Sequence, residues 1–293
     1  MRVFKFGGAS VKDAEGVKNL VKVLETAGYK DTLVVVSAMG KTTNALEQVI
    51  HNYFHNKKEL KSSIQDVTKF HNSILMDLFD SDQYQNEDHP VFNKVTEIFK
   101  DLNIFFSRNK SPDYNFVYDQ VVGFGEMIST TIISSYLNEI GIKNNWIDVR
   151  NFIKTDSYYR NAKVNWALTQ AQISEGIDGK VLNITQGFLG SDANNFTTTL
   201  GREGSDYTAA IFAYCLNGTN VTIWKDVPGI LNADPRHFEN AQLLHQISYR
   251  EAIELAFYGA SVIHPKTLQP LQQKCMPSWR MAFTLQSLPQ CIQ

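Results

Sequence analysis

The chain has 293 residues, 43% of them hydrophobic and 20% charged, with a formal net charge of −2. A chain this long buries roughly three quarters of its unfolded surface, enough for one large α/β unit or two intimately joined lobes. Near-neutral charge gives no electrostatic reason to expect nucleic acid, no apolar run approaches a membrane span, and three cysteines without a CxxC argue against a disulfide framework or structural zinc.

The amino terminus, MRVFKFGG, has no signal-peptide core, so the expected place is the cytoplasm. Residues 2–6, RVFKF, alternate and run into Gly7-Gly8, which predicts a first strand delivering Lys5 to a loop that can approach a ligand closely. Residues 12–28 carry Val17, Leu20, Val21 and Leu24 at helical spacing and stop at Gly28. TLVVVSA at 32–38 is a continuous apolar run, the mark of a central parallel strand covered on both faces. Strand, helix and parallel strand make a βαβ unit and predict a doubly wound α/β sheet. Ligands bind such sheets at the carboxyl ends of the strands, the rim that would carry Gly7, Gly8, Ser37 and the turn from Gly40 to Asn44.

From about 45 to 110 the chain is polar with helical apolar spacing, which predicts two or three helices inserted to cap the sheet, separated by a loop at 81–90. His51 and His55 stand four apart there, and the simple reading is two exposed histidines. Residues 116–141 read as one long buried helix containing Glu126, a carboxylate that must meet a cation or a cavity. NNWIDVR at 144–150 reads as a strand and 163–175 as a helix.

Residues 181–211 are the richest stretch: a β-branched strand broken by Gly187 and Gly190, a strand of three threonines at 197–199, and a turn from Gly201 to Gly204 carrying Arg202. A helix follows at Ser205 or Asp206, and such a turn at a helix N-terminus is a ready anion site. It is neither a Walker loop nor a dinucleotide fingerprint. TNVTIW at 219–224 is a strand ending in Lys225-Asp226-Val227-Pro228-Gly229, and the loop LNADPRHF holds Asp234 and Arg236. Residues 248–259 read as a helix with a Ser248 to Glu251 capping box and a glycine stop, and His264-Pro265 as a structural helix entrance. The 28 residues after Pro265 suffice for little more than a helix and a strand.

TTTLGREGSDYTAA resembles the TTLGRGGSD segment of aspartokinases, in the amino acid kinase family. KFGGAS at 5–10 is similar to that family's KFGGTS, and VSAMGKTTN at 36–44, GE at 125–126, WKDVPGILNADPR at 224–236 and GASVIHPKT at 259–267 follow in the family's order. The resemblance covers about 270 residues. It implies a three-layer α/β/α fold with a mainly parallel sheet and a helical insertion. Residues 1–293 would be one catalytic unit, with an amino-acid lobe over about 1–195 and a nucleotide lobe over about 196–293. It implies transfer of the γ-phosphoryl of ATP to the side-chain carboxylate of L-aspartate, with Mg2+, no metal-ligating side chains, no nucleic-acid or membrane partner, and room for a homodimer.

The resemblance also implies roles. Lys5 and Asp206 match the catalytic pair, with Lys5 on the transferring phosphoryl. Phe6, Gly7, Gly8, Ser10, Lys225, Asp226, Leu231, Arg236, Ser261 and Lys266 fall on the nucleotide side. Ser37, Thr43, Glu126, Phe188, Arg202 and Ser205 fall at the amino acid, where Arg202 would clamp a carboxylate and Glu126 meet the ammonium. The chain departs from the family pattern at Ala9 and Lys225, usually Thr, at Glu203, often Gly, and at Ser261, often a nucleotide-contacting Lys, for which Lys266 is the expected replacement. The paired ACT regulatory domains usual in the family do not follow within the 293 residues, so no response to lysine or threonine is expected. Glutamate or acetylglutamate kinases, and a non-catalytic sensor of the same fold, are the alternatives.

Overall fold

The computed structural model describes residues 1–79, 89–225, 229–234, 236–244, 246–258, 264–274, 279–282 and 290–292. Strands β1 (Arg2–Phe6) and β2 (Thr32–Val36) pair in parallel around helix α1 (Ala14–Ala27). Asp13 caps α1 by accepting from the Gly16 amide, and Gly28 ends it at φ 77°, a left-handed value open to glycine. All five β2 residues are buried, as the unbroken apolar run requires.

Helices α2 (Thr42–His55), α3 (Lys57–Phe79) and α4 (Pro90–Arg108) form the expected insertion. The segment expected to be one helix is two, α5 (Tyr114–Val122) and α6 (Phe124–Glu139), broken at Gly123. A Cβ on Gly123 would stand 3.0 Å from the Leu189 side chain, and one on Gly125 would stand 2.9 Å from the Ala38 Cβ. The chain turns there because it must pass close to two other segments, and the break puts Glu126 in the first turn of α6. The strand expected at 144–150 stops early: β3 (Asn144–Ile147) gives way to a 3-10 turn over Val149–Asn151, since the Asp148 carboxylate accepts from the Arg150 amide and guanidinium.

Beyond these lie α7 (Trp166–Gly176), β4 (Leu182–Gln186), the antiparallel pair β5 (Leu189–Ser191) and β6 (Thr197–Thr199), α8 (Gly204–Cys215) and β7 (Asn220–Trp224). β8 (Gln246–Ile247), α9 (Tyr249–Phe257), α10 (Pro265–Gln273), β9 (Trp279–Ala282) and β10 (Gln290–Ile292) complete the described elements. The last stretch thus adds two strands rather than one. Ser248 and Glu251 form the capping box at α9, and the His264 Nδ1 accepts from the Lys266 amide to start α10. The glycine stop at 259 and most of the 81–90 loop lie outside the described residues.

The main sheet runs β3-β4-β2-β1-β7-β9-β10-β8, with every pair parallel except β9 and β10. Strand alternation sorts its side chains into two cores. Phe4, Phe6, Val34 and Val36 join α1 to α6 on one face, and Val3, Leu33, Val35, Val221 and Ile223 join α7 to α10 on the other. Lys5 shares the parity of Val3, so the pleat aims it at α8. Among the described residues no helix is long and apolar enough to cross a membrane.

Candidate active site

The carboxyl ends of β1, β2 and β4 and the N-terminus of α8 meet at one cavity of about 430 Å³. Its floor is ionic. Lys5 Nζ lies 2.6 Å from Asp206 Oδ1 and Lys225 Nζ lies 2.8 Å from Asp206 Oδ2, with Asp206 fully buried and Lys5 5% exposed. Burial alone would push the Asp206 carboxyl up, but the two ammonium groups and the hydrogen bonds they give hold it well below the usual carboxylate range. Burial likewise disfavours the Lys225 cation, yet Asp206 and Glu203 raise it. Lys225 therefore stays charged beside one fixed anion, and with Lys5 on the other carboxylate oxygen the two lysines can face a second anion from above.

Two departures from the family pattern meet here. Lys225 Nζ also lies 3.4 Å from Glu203 Oε2, and Glu203 holds φ 54°, the left-handed conformation that suits glycine. Above the floor, a Cβ on Gly8 would stand 2.6 Å from the Ala38 carbonyl oxygen and 3.1 Å from that of Gly40. The β1 and β2 turns therefore approach so closely that only glycine fits, which leaves a shallow backbone cradle beside the Lys5 ammonium. Ser10 Oγ donates to the Trp224 carbonyl at 3.3 Å and ties that cradle to β7.

Glu126 forms the inner wall. It is 3% exposed; its Oε1 accepts from the Ala38 amide at 3.2 Å, and its Oε2 is buried without a hydrogen-bond partner. Burial pushes its carboxyl up to about 8, opposed by the hydrogen bonds and by nearby Lys5. A buried acceptor turned toward a cavity without a partner calls for a cation or donor from a ligand. Arg202 sits exposed at the mouth, in the turn ahead of α8.

Lys5, Gly8, Ser37, Thr43, Glu126, Phe188, Arg202 and Ser205 all line this one cavity, although they come from five separate stretches of chain. Close packing draws them in: a Cβ on Gly187 would stand 2.4 Å from the Ser205 Cβ, so β4 abuts α8 directly. Gly7 lies beside the cavity, its amide donating to the Trp224 carbonyl at 3.2 Å. Phe6 turns the other way, its ring stacked on Trp224 with centroids 5.9 Å apart in the core. Leu231 forms a bridge with Leu243, and Arg236 is exposed and paired with Asp234 at 2.7 Å; neither lines the cavity. Asp226 and Ser261 lie outside the described residues.

Lys266, the expected replacement cation, is engaged by protein groups. Its Nζ donates to the Leu200 carbonyl at 2.8 Å and to Asn161 Oδ1 at 3.0 Å, and lies over the Tyr207 ring. It borders a second cavity of about 540 Å³ that shares Arg160, Gly201 and Arg202 with the first. Local sequence gave no sign of Tyr118 and Arg160, which line the active cavity. His51 and His55 stand side by side, ring centroids 4.9 Å apart, and among the described residues no group of three or more His, Cys, Asp or Glu could hold a metal.

A mainly parallel sheet whose rim sets two lysines on one buried aspartate beside a glycine cradle offers the charge and backbone an anionic group needs. The amino acid kinase family matches residues 1–279, and this chain belongs to it. Lysine-sensitive aspartokinase 3 of Escherichia coli strain K12 is 32% identical over 280 residues, covering 94% of this chain and 60% of that protein. Bifunctional aspartokinase/homoserine dehydrogenase 2 of Arabidopsis thaliana, a chloroplastic protein, is 30% identical over 279 residues, covering 94% of this chain and 30% of its own. The crystal structure of E. coli aspartokinase III with aspartate and ADP is similar in fold, with a TM-score of 0.85 at 29% identity, over 97% of this chain and 62% of that one. The chain spans less than two thirds of the length of each of these relatives.

Proposed function

We infer that this chain transfers the γ-phosphoryl of ATP to the β-carboxylate of L-aspartate, giving 4-phospho-L-aspartate, the entry step to lysine, threonine and methionine. The observation that carries the reading is the joint placement of Lys5, Asp206 and Lys225 below a cavity bounded by Glu126 and Arg202. The similarity to aspartokinases over 94% of the chain supports the choice of aspartate.

The nucleophile is already an anion, since a β-carboxylate of pKa about 3.9 is ionised at neutral pH, so no general base is needed. One carboxylate oxygen forms a bond to the γ-phosphorus while the bond from phosphorus to the β,γ-bridging oxygen breaks, and ADP leaves with that electron pair. Lys5, fixed by Asp206, stabilises charge on the transferring group, and Lys225 does so on the nucleotide side. Arg202 holds a substrate carboxylate at the mouth and Glu126 takes the ammonium. Mg2+ arriving with the nucleotide would neutralise phosphate charge, with Gly7, Gly8 and Ser10 beside it. The amino-acid lobe and the nucleotide lobe, divided near 195, act as one catalytic unit in the cytoplasm, and a homodimer is part of this reading.

Trapping of the acyl phosphate with hydroxylamine, in the presence of ATP, Mg2+ and separately aspartate, glutamate or acetylglutamate, tests it. Hydroxamate is expected with aspartate alone. Hydroxamate with another acid instead, or with none, overturns the reading.

A further inference from the structure

Arg160 carries three features that belong together. It holds φ 69°, the left-handed region that glycine enters freely and arginine does not. Its amide donates to both carboxylate oxygens of Asp119 at 3.0 Å, and Asp119, fully buried, also accepts from the Thr199 amide and hydroxyl at 2.8 Å. A buried carboxylate with four contacts thus holds this residue in an unfavourable conformation. Its guanidinium then stacks on the Tyr118 ring, 4.4 Å from the centroid, and makes no ion pair among the described residues. It lines the same cavity as Arg202 and Glu126.

Strain kept at a non-glycine residue is accounted for when the side chain it presents is used. The Tyr118 ring holds the guanidinium carbon 4.4 Å from its centroid, a contact that leaves N–H groups to meet a carboxylate. We propose that Arg160 is a second arginine of the amino-acid subsite, gripping the α-carboxylate of the acceptor together with Arg202. The charges agree with this: the α-carboxylate meets two guanidiniums, the ammonium meets Glu126, and the reacting carboxylate meets Lys5. The division of labour follows from depth. The reacting carboxylate must reach Lys5 on the floor, so the other carboxylate is left at the mouth, where the two arginines are.

The inference rests on the aspartate reading above and is separable from it. Arg160→Gly keeps the backbone conformation and removes the side chain. It should raise the KM for aspartate roughly 10- to 100-fold, the range of a lost charge-assisted bond, with the KM for ATP within about twofold and a Tm at or above wild type. Arg160→Lys should recover part of the affinity, short of the whole because an ammonium offers no planar fork. The α-amide of aspartate, lacking the charge to be gripped, should bind wild type and Arg160→Gly equally. A KM for aspartate within twofold of wild type in Arg160→Gly, or an equal penalty with the α-amide, overturns the assignment while leaving the parent activity standing. A wild-type chain that makes no aspartyl phosphate overturns the parent reading, and this inference with it.

Discussion

Glu126 offers the sharpest test of the site's electrostatics, because its protonation must change when the substrate arrives. Its carboxyl is pushed up to about 8 by burial, so at pH 7 it carries roughly 0.9 of a proton. An ammonium reaching the unpartnered Oε2 favours the ionised form and drives that proton off. Aspartate binding at pH 7 should therefore release close to one proton, and affinity should climb about tenfold between pH 6 and pH 7, then level off above pH 8. The cost of ionising the group at pH 7 is about 1.4 kcal/mol, one pH unit below its midpoint. Titration calorimetry in phosphate and in Tris at pH 7 checks this, since a released proton adds the buffer's own ionisation enthalpy to the signal. Identical enthalpies in the two buffers would refute the reasoning. The same shift fixes a sign for stability. Between its ordinary value of 4.5 and about 8, the folded protein holds a proton that the unfolded chain has lost, so this group's contribution falls as pH rises through that window. Glu126→Gln should accordingly bind aspartate poorly, release no proton, and raise the Tm more at pH 8 than at pH 5.

Three further outcomes are expected. Lys5→Ala should lower kcat by roughly two to three powers of ten in steady-state assays, with a smaller effect on the KM for ATP, because it removes a preorganised charge from the floor; near-full turnover would contradict its role. Arg202→Ala should weaken aspartate binding by about 1.5–3 kcal/mol, the range for a charged hydrogen bond, and leave ATP affinity nearly unchanged by calorimetry; a fall in ATP affinity instead would move Arg202 to the nucleotide. Lys266→Ala should lower the Tm, since the buried Leu200 carbonyl loses its donor at a cost of about 1–3 kcal/mol, while the KM for ATP stays within about twofold. A large rise in that KM would restore Lys266 to the phosphates.

Much of the architecture was legible because it is written in local pattern. The apolar run of β2 announced a strand covered on both faces, the glycine at 28 ended α1, and the Ser248 capping box opened α9, each from forces acting within a few residues. The candidate site was legible for a different reason. Its glycines and charged residues cluster at strand ends, where a parallel sheet collects them, and the ordered motifs resemble those of one family.

Tertiary packing decided the rest. Gly123 and Gly125 gave no local reason to divide a helix; the break exists because Leu189 of β5 and Ala38, just after β2, press against them from remote parts of the chain. Lys266 lies five residues beyond Ser261, which made it a natural substitute, yet helical geometry turns its side chain toward Leu200 and Tyr207. Arg160 carries no motif, because its place depends on Asp119, forty-one residues earlier, accepting its amide and on Tyr118 stacking its guanidinium. The sequence alone determined the parallel α/β frame, most of its strands and helices, and several of the charged groups that reach the ligand rim. Only the folded structure decided which of those groups face one another, because that depends on contacts between residues far apart in the chain.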